Sequence, residues 1–468
     1  MNAGSTSSHR AEADHLGQVN LGASDLFGVQ TARGMRNFDL SDRTLGNQRA
    51  FVRAFAQCKW AAAMANHQLG LLTQTQRDVI VQACQELAEG SLDAHMTVDL
   101  LEGSGGTSTN MNVNEVIANR AQQLLGRDLG TYDAIHPNDH VNRSQSTNDV
   151  YPSALKLAVH SMLPAVISEL RQLADSLDGR ACAFEDILHL GRTCLQDAQP
   201  MRLGQMFEGY ASLVRRLASE IEGSGAKLLA LPLGGTAIGT GFGSSPGYRQ
   251  AVYSHLREIT GLRVEPASDP FDAMQNLDAF GRVSSELKTA ATSLGKMAMD
   301  MILLSSGPTG GIGELQLPAV QAGSSIMPGK VNPVMPMSIC QIGFILVGND
   351  AVVSQAIQAG QLEINHFEPV IADRIFESIR LMERGIRLFR ELCVDGIVAS
   401  REANERHLLD SSAIATALVP KLGYSAVSSM VRKAHADGIT LISLLENNGV
   451  MSAEETRALV ETVANTIP

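Results

Sequence analysis

The amino-acid sequence predicts an all-α protein, and two observations support that fold class. Apolar residues recur every three or four positions over long runs, as they do on the buried faces of bundled helices. Aromatic residues make up only 4% of the 468 residues, which suits closely packed helices better than a β-sandwich. Helices this long and apolar have more than one face to bury, so the sequence also favours a bundle built from several chains.

Length and composition limit the class of protein. A chain of 468 residues exceeds one ordinary core and predicts two or three domains. The net charge of −12 predicts a soluble protein and argues against nucleic acid as a partner. Residues 1–15 are expected to form a frayed polar leader without a secretory signal, and no membrane span is expected. The six cysteines form neither a C-x-x-C pair nor a zinc-spaced cluster, which favours a reducing cytoplasm.

Helical periodicity appears in order along the chain. The first helical stretch covers about residues 46–90 and is interrupted by a turn at Leu69–Leu71, and a second covers Met111 to Leu125. Residues 191–198 are expected to be a polar segment between helices, and residues 305–329 a lid or disordered. Beyond about residue 402 the pattern predicts a small helical domain. Later apolar stripes predict helices near residues 155–177, 206–221, 283–304, 336–358 and 369–390.

Four polar clusters interrupt the helices and carry neutral hydrogen-bond donors. The second cluster lies where helix N-cap residues belong, so its backbone amides are expected to be free to attract a carboxylate. The clusters contain Thr107 and Ser108; Ser146, Thr147 and Asn148; Thr193 and Cys194; and the stretch from Ser324 to Asn332.

The fourth cluster lies in the loop Gly323–Pro333, whose sequence is GSSIMPGKVNP. Its glycines allow the backbone to bend and its prolines prevent a regular helix. Hydroxyls, loop amides and the charge of Lys330 suit a small anion. It is not a phosphate-binding P-loop, because five residues separate its glycines and Val331 follows the lysine. An ordinary turn-rich connector with a surface lysine is the alternative interpretation.

Two further motifs are only weak evidence for a cofactor or metal site. The glycine-rich stretch Gly234–Gly243 has G-x-G-x-G spacing and no preceding β-branched strand, which argues against a dinucleotide site. His136 and His140 have the spacing of two metal ligands on a helix, but no third ligand completes a site. The sequence therefore predicts neither a metal nor a cofactor.

The four clusters together could hold a small dicarboxylate. Removal of a proton next to a carboxylate creates an enediolate, which fixed donors aimed at its oxygens would stabilise. The reaction also needs a base within hydrogen-bond reach of the carbon. Because the glycine loop contains no histidine or glutamate, a serine is the candidate base, assisted by a nearby positive charge and a lid that excludes water.

The loop GSSIMPGKVNP resembles the signature loop of the aspartase–fumarase superfamily, whose members are homotetrameric lyases that release fumarate from a substituted succinate. The resemblance implies an all-α, three-domain fold, with domains at 1–148, 149–402 and 403–468. It also implies that five-helix bundles from four chains form a twenty-helix core, with active sites shared between subunits. Matching motifs elsewhere are Phe27–Arg33, Gly106–Glu115, Gln145–Asp149, Gly191–Thr193, Leu195–Ala198, and the aspartase-like Ala359–Glu363 and Glu368–Ile371.

The same resemblance implies a role for each matched residue. Ser324 would be the general base, and Lys330 and Asn332 would bind one carboxylate with Met327 nearby. Residues that resemble a second dicarboxylate site of fumarases, one outside the catalytic centre, are His136, Asn138 and Asp139. Residues that would contact the other carboxylate or the leaving group are Thr107, Ser108, Ser146, Thr147, Asn148, Thr193, Cys194 and Ser325.

Two departures from the family pattern concern the leaving group. Cys194 stands where fumarases and many aspartases carry histidine and some aspartases carry glutamine, and Met337 stands where a glutamate usually pairs with that histidine. Either the pair drifted together without consequence, or the leaving group needs no charged partner or is bulkier than ammonia. The hypothesis is elimination of ammonia from L-aspartate. Fumarate hydration and a non-catalytic scaffold, as in lens proteins of this superfamily, are the alternatives, and the intact Ser324, Lys330 and Asn332 oppose the scaffold.

Overall fold

The computed structural model describes residues 9–465, and α-helix dominates this part of the chain. It contains sixteen α-helices and eight short β-strands, and 64% of the structure is helical. The predicted all-α class is therefore confirmed. The strands pair only two at a time, so no larger sheet forms among residues 9–465.

The chain begins with an antiparallel hairpin made of β1 (His9–Asp14) and β2 (Gly17–Gly22). The Arg10 guanidinium holds this hairpin by donating hydrogen bonds to the carbonyl oxygens of Gly22, at 2.8 Å, and Phe27, at 2.7 Å. The expectation of a frayed leader is therefore wrong for residues 9–14, and residues 1–8 lie outside the described part of the chain.

Four helices follow; the first of them, at Val29–Asn37, was not predicted, and the other three agree with the predicted early helical stretches except at one boundary. The predicted turn near Leu69–Leu71 is confirmed, and Thr73 and Gln76 form a capping box at the start of the next helix. The helix predicted from Met111 begins four residues earlier, at Thr107. The bounds are α1 (Val29–Asn37), α2 (Arg49–Gln68), α3 (Gln74–Glu89) and α4 (Thr107–Leu124).

The N-terminal motif around Gly28 binds a carboxylate of the protein itself. The buried Glu115 carboxylate on α4 accepts hydrogen bonds from the backbone amides of Gly28, at 2.8 Å, and Gln30, at 2.9 Å. It also accepts the Thr31 hydroxyl at 2.6 Å. Burial raises the pKa of Glu115, although these hydrogen bonds oppose the shift. One carboxylate on α4 thus caps the start of α1.

Five helices of 24 residues or more dominate the middle of the chain, which confirms the stripes predicted there. Between them lie α7 (Tyr248–Thr260) and α8 (Pro270–Gln275). The long helices are α5 (Thr147–Ala183), α6 (Leu203–Ala226), α9 (Asp278–Leu304), α10 (Val334–Gln358) and α11 (Glu368–Leu392).

The polar segment predicted at residues 191–198 is in fact part of a β-hairpin. Its strands are β3 (Leu188–Thr193) and β4 (Gln196–Arg202), which pair antiparallel. Cys194 and Leu195 form its two-residue turn, and both have left-handed backbones with φ of 52° and 60°. Such turns usually carry Asn-Gly, so the sequence lacked the usual hairpin signal.

Three shorter features complete the fold. The two-residue strands β5 (Ala230–Leu231) and β6 (Glu265–Pro266) are parallel, while β7 (Leu315–Gln316) and β8 (Val398–Ala399) are antiparallel. The short helices predicted after about residue 402 are confirmed, and their apolar faces pack with Leu188 and Leu190 of β3. They are α12 (Arg401–Asp410), α13 (Ala415–Leu422), α14 (Tyr424–Asp437), α15 (Leu441–Asn447) and α16 (Ala453–Ala464).

The chain divides into two compact units. The first unit takes in the chain up to Ala165, Glu220–Lys288 and Ile345–Leu381, and the second takes in Val166–Ser219, Thr289–Phe344 and the chain from Met382. Each of the five long helices contributes residues to both units. The three domain boundaries inferred from the family resemblance remain a prediction.

Two helices of the described chain are long and apolar enough to cross a membrane by length and composition, α5 and α10. Of the most apolar window of α5, 72% is buried within the protein, as in the core helix of a soluble protein. The corresponding window of α10 is only 39% buried. Much of the apolar surface of α10 is therefore not buried by the rest of the described chain.

Glu368, the first residue of α11, makes stability depend on pH. Burial raises its pKa to about 8, and the charge of Lys156 opposes this only in part. Between the unfolded pKa near 4.5 and the folded pKa near 8, only the folded state keeps the proton, so stability falls as pH rises. We expect Glu368→Gln to gain stability over wild type from pH 5 to pH 8, by at most about 1.4 kcal/mol per pH unit.

Thermal unfolding of both proteins across this pH range measures the effect. Glu391→Gln, which changes an exposed carboxylate on the same helix, is the control and should show no growing difference. A constant difference between Glu368→Gln and wild type at all pH values would contradict the assignment.

Candidate active site

The start of α4 places Thr107 and Ser108 in the first helical turn. The buried Glu102 carboxylate accepts the backbone amides of Ser108, at 2.9 Å, and Thr109, at 3.2 Å, which explains why the helix begins earlier than predicted. Burial raises the pKa of Glu102, although these hydrogen bonds oppose the shift. Gly106 precedes the helix with φ of 90°, and a Cβ there would lie 2.4 Å from the ring of Tyr151. Thr107 is exposed.

The start of α5 carries Ser146, Thr147 and Asn148, all half-buried. The backbone amide of Ser146 donates to the Asp149 carboxylate at 2.9 Å, and that of Asn148 donates to the Ser146 hydroxyl at 3.2 Å. The expectation of free amides is therefore wrong for Ser146 and Asn148, because the helix caps itself. The Asn148 side chain donates to the Ala237 carbonyl at 2.9 Å.

The first two polar clusters lie together, because α4 and α5 begin side by side in the first unit. Asn110, in the first turn of α4, donates its side-chain amide to the Thr147 hydroxyl at 3.0 Å. Asn110 also donates to Asn142 at 3.2 Å, just before α5. Two sequence-distant sets of neutral donors thus share one region, as a site for a small carboxylate requires.

Lys59 on α2 is the residue of this region that the sequence analysis missed. It is fully buried, and its ammonium donates to the side-chain oxygens of Asn110, at 2.7 Å, and Asn142, at 2.9 Å. Burial lowers the pKa of Lys59 to about 7, and the nearby Asp149 carboxylate opposes that shift. Through Asn110 the ammonium supports Thr147. A sequence signal existed, since Lys59 follows Phe55 by four positions on an apolar stripe.

Asp149 is the negative counterpart of Lys59 and is also fully buried. Its carboxylate accepts the backbone amides of Gly234 and Thr236, each at 2.9 Å. Burial raises the pKa of Asp149 to about 7 despite these hydrogen bonds and the charge of Lys59. The glycine-rich turn at 234–243 therefore binds a carboxylate of the protein itself.

Replacement of Lys59 by methionine should weaken both stability and substrate binding. The variant keeps the apolar stem but leaves two buried amide oxygens without their charged donor, a loss of about 2 kcal/mol in unfolding free energy. Because the family resemblance implies that Thr147 contacts the substrate, loss of its support should raise KM. Thermal unfolding and steady-state kinetics measure both effects.

The matched control for this prediction is Lys156→Met. Lys156 is another buried lysine of the first unit, and its ammonium donates to the backbone carbonyl of Ala230 at 2.8 Å. This variant should lose stability without a change in KM. An unchanged KM in Lys59→Met would contradict a link between Lys59 and the binding site.

The third polar cluster lies at the tip of the β3–β4 hairpin in the second unit. Thr193 and Cys194 are exposed there, and all six cysteines are free thiols. A cavity of about 440 Å³ opens beside Cys194. Its wall includes Tyr210, whose hydroxyl donates to Asp300 at 2.5 Å, and Lys296, whose ammonium lies 5.6 Å from the Tyr210 ring centre.

The fourth cluster lies in the loop Gly323–Pro333. Two hydrogen bonds join the two ends of this loop, and residues 325–331 between them are exposed. The backbone amide of Gly323 donates to the Lys330 carbonyl at 2.7 Å, and the Asn332 side chain donates to the Gly323 carbonyl at 2.7 Å. A Cβ on Gly323 would lie 2.7 Å from the Lys330 oxygen, so only glycine fits. Ser325, Met327 and Lys330 are exposed, and Lys330 forms no ion pair within residues 9–465.

Ser324 is half-buried in this loop. Its hydroxyl oxygen accepts the backbone amides of Ile326, at 3.2 Å, and Met327, at 3.0 Å. Donors aimed at an oxygen favour its negatively charged form. Met337 lies in the first turn of α10 with 46% of its surface exposed.

The predicted second dicarboxylate segment forms a short π-helical turn at Pro137–Val141. The His136 ring nitrogen Nδ1 accepts the backbone amides of Asn138 and Asp139, both at 3.2 Å, so it acts as the N-cap of that turn. Within residues 9–465 no cluster of three or more metal-ligating side chains has the geometry of a metal site.

Comparison with protein families and known proteins agrees with this set of motifs. A family model described as lyase matches residues 17–348, and one described as fumarase C C-terminus matches residues 414–464. An aspartate ammonia-lyase from Helicobacter pylori is 41% identical over 446 residues, or 95% of each chain. An aspartate ammonia-lyase from Escherichia coli is 41% identical over 416 residues, which cover 89% of this chain and 87% of that protein.

Solved structures share the fold over nearly the full length of the chain. A protein described as fumarate lyase:delta crystallin from Brucella melitensis is 42% identical, with a TM-score of 0.95 over 98% of this chain and 100% of that one. A class II fumarase from Schistosoma mansoni is 33% identical, with a TM-score of 0.91 over 97% of this chain and 98% of that one. The chain therefore belongs to the aspartase/fumarase superfamily of lyases.

Proposed function

We propose that this protein is a carbon–nitrogen lyase that converts L-aspartate to fumarate and ammonia. The observation that carries the proposal is the loop Gly323–Pro333, in which two backbone amides point at the hydroxyl oxygen of Ser324 while Lys330 remains unpaired within the described chain. The identity of about 41% to several aspartate ammonia-lyases over nearly the whole chain supports the same activity.

In the proposed reaction the Ser324 oxygen, acting as an alkoxide, takes a proton from the carbon next to the side-chain carboxylate of aspartate and becomes a hydroxyl. The electrons of the broken C–H bond pass into that carboxylate and form an enediolate, which surrounding donors stabilise. Collapse of the enediolate forms the carbon–carbon double bond and breaks the carbon–nitrogen bond, so the protonated amino group (–NH3⁺) leaves as neutral ammonia. The two amides that hold the Ser324 oxygen lower the cost of its negative charge, which allows a serine to act as base.

The remaining site residues are proposed to bind different parts of the substrate. Lys330 and Asn332, with Met327 nearby, bind one carboxylate. The second carboxylate and its enediolate are bound by hydroxyl groups. The groups proposed to bind it are Thr107, Ser108, Ser146, Thr147 and Ser325. Asn148, Thr193 and Cys194 are proposed to line the leaving-group side.

We also propose a homotetramer with active sites shared between subunits. On α10 the large apolar side chains Phe344, Val347 and Val352 expose 74%, 46% and 40% of their surfaces, a pattern that marks an interface. Burial of this helix against copies of the same chain would cover that surface. Six free cysteines are consistent with the reducing cytoplasm that we propose as the compartment.

A different leaving group is the second candidate function. The cavity of about 440 Å³ beside Cys194 could accommodate a substituent on the departing nitrogen, and the Cys194 side chain brings no charge to it. An N-substituted aspartate would then be the better substrate, with the same proton abstraction and a substituted amine as product.

Fumarate absorbance decides between these activities. Purified protein is incubated with L-aspartate, malate and a set of N-substituted aspartates, and fumarate release is followed with a parallel assay for the amine product. The proposal expects fumarate and ammonia from L-aspartate in equal amounts. Fumarate from malate alone would establish a hydratase, and preferential turnover of an N-substituted aspartate would establish the second candidate.

A further inference from the structure

The cavity beside Cys194 lies entirely within the second unit. Its walls come from the hairpin β3–β4, from the first half of α6 and from the last turns of α9. Its volume of about 440 Å³ is far larger than the roughly 30 Å³ that one water molecule takes up in the liquid. The cavity therefore has room for a group of several non-hydrogen atoms, which ammonia as a leaving group does not need.

Most of the cavity wall is apolar, but two helices add charged groups to it. The apolar side chains belong to Leu190, Leu195, Met201, Met206, Leu303 and Leu304. The polar group consists of Tyr210 on α6 with Lys296 and Asp300 on α9. A ligand for this cavity therefore needs an apolar stem and one charged or strongly polar end.

The three polar side chains of the wall bind one another. Asp300 Oδ2 accepts hydrogen bonds from the Tyr210 hydroxyl, at 2.5 Å, and from the Lys296 ammonium. The Lys296 nitrogen also lies 5.6 Å from the centre of the Tyr210 ring, where a cation is attracted to the ring face. Tyr210 is buried, so this side of the pair is anchored in the protein. Asp300 and Tyr210 together fix the position of the ammonium group.

Lys296 keeps most of its hydrogen-bonding capacity. In the part of the chain that the structure describes, its ammonium donates to Asp300 alone, and 69% of its side chain is exposed. An ammonium has three donors, so two remain for a ligand.

The other basic residues of the wall are less able to bind an anion. The two terminal nitrogens of Arg192 donate to the buried carboxylate of Glu314, at 2.6 and 2.9 Å, which neutralises the charge of the guanidinium. Burial lowers the pKa of His189, so its ring adds no charge at neutral pH. Lys296 is therefore the group of this cavity best suited to bind a carboxylate.

We propose that Lys296 makes this cavity a specificity pocket for a carboxylate on the departing amine, so that the preferred N-substituted aspartates release an amino acid. The inference rests on the proposed function, in which Cys194 lines the leaving-group side. It needs only the hairpin and helices of one chain, whichever subunit supplies the loop Gly323–Pro333. L-Aspartate carries no substituent, so Lys296 does not contact it.

The bonds that form and break are those of the proposed reaction. The Ser324 alkoxide takes the proton, the carbon–nitrogen bond breaks, and the secondary ammonium of the substrate leaves as a neutral primary amine that keeps its carboxylate. Lys296 contacts only the substituent and takes no part in the proton transfer. Asp300 orients the ammonium and partly offsets its charge, so we expect a moderate preference.

Pairs of substrates that differ only in charge test the inference. N-(Carboxyalkyl)-L-aspartates with one, two or three methylene groups are compared with the corresponding amides, which have the same size and no charge on the substituent. We expect wild type to prefer the carboxylate by about 10-fold in kcat/KM for at least one chain length. Lys296→Met should abolish this preference, while its kcat/KM for L-aspartate stays within about 2-fold of wild type.

Asp300→Asn provides a test in the opposite direction. Asparagine keeps the shape of the side chain but removes the negative charge beside the ammonium, so the preference for the carboxylate should increase. Arg215→Met is the matched control, because Arg215 lies on α6 like Tyr210 and pairs with Asp178 outside the cavity. This control should keep the wild-type preference.

Three results would overturn the specificity role of Lys296. They are equal preferences in wild type and Lys296→Met, an equal loss of preference in Arg215→Met, and absence of turnover for every N-substituted aspartate. Each of these results is compatible with release of ammonia from L-aspartate, so the proposed function would stand. Size-exclusion chromatography checks the assembly, and Lys296→Gln carries the measurement if Lys296→Met does not assemble.

Thiol labelling tests the cavity without turnover. Cys194 lines the cavity and is an exposed free thiol, so its reaction with N-ethylmaleimide, followed by mass spectrometry, reports on occupancy. γ-Aminobutyrate should slow this reaction several-fold in wild type but not in Lys296→Met, and γ-aminobutyramide should slow it much less. Absence of fumarate from every substrate would overturn the proposed function. Absence of protection by γ-aminobutyrate would overturn the carboxylate pocket.

Discussion

Ser324→Ala is expected to lower the rate of fumarate release from L-aspartate by about 10³-fold, the size of effect typical of a lost general base. The Ser324 hydroxyl oxygen accepts two backbone amides, and this arrangement favours an oxygen that carries negative charge. Alanine removes the only group in the loop proposed to take the proton. Initial rates at saturating substrate measure the effect, and thermal unfolding with size-exclusion chromatography checks that fold and assembly persist.

Ser325→Ala is the matched control for this experiment, because it removes a neighbouring hydroxyl from the same exposed loop. Ser325 is proposed to bind a substrate carboxylate, so its loss should raise KM with a much smaller fall in kcat. Equal kcat losses in the two variants would point to a general disturbance of the loop. A Ser324→Ala variant with wild-type turnover would rule out Ser324 as the base.

Lys330→Met is expected to lower kcat/KM by about 100-fold, chiefly through a higher KM. Truncation of one partner of a desolvated charge pair costs about 2–5 kcal/mol, and Lys330 is the one cation proposed to contact the substrate. Because Lys330 has no ion-pair partner within residues 9–465, its loss should leave the fold intact. Steady-state kinetics and succinate binding, followed by its protection against heat unfolding, measure the change.

Lys330→Arg keeps the charge at the same position and serves as the control. Its planar fork differs from the compact ammonium, so binding should be recovered only in part. Methionine and arginine variants with the same KM as wild type would show that Lys330 is the surface lysine of an ordinary connector, which was the alternative interpretation of this loop.

Several features of the site could be predicted because their signals are local in sequence. The donors of the loop Gly323–Pro333 stand within a few residues of one another, so their chemistry was readable before any fold was known. Helix starts after Gly106 and near Ser146 were also readable, since small polar residues precede apolar stripes there, although the first helix begins four residues before the predicted Met111. The carboxylate that caps α4 could not be predicted, because Glu102 is separated from that helix by a glycine-rich loop.

The hairpin Leu188–Arg202 and Lys59 show where such reading fails. The turn at Cys194 and Leu195 has left-handed backbone angles, which these residue types rarely adopt. Because the turn lacks the usual Asn-Gly sequence, the hairpin could not be predicted. Lys59 looked like one polar residue in a long helix, and its importance comes from Asn110 and Asn142, which lie 51 and 83 positions away in the chain.

Local spacing of apolar residues was enough to establish the long helices, the all-α class and the polar loops, because each helix satisfies its own backbone hydrogen bonds and buries one face. The folded structure was needed for the partners of buried charges, such as Arg192 with Glu314 and Lys59 with its two asparagines. The physical reason is that a buried charge must find compensating groups in space, and these come from segments whose separation along the chain places no constraint on their meeting.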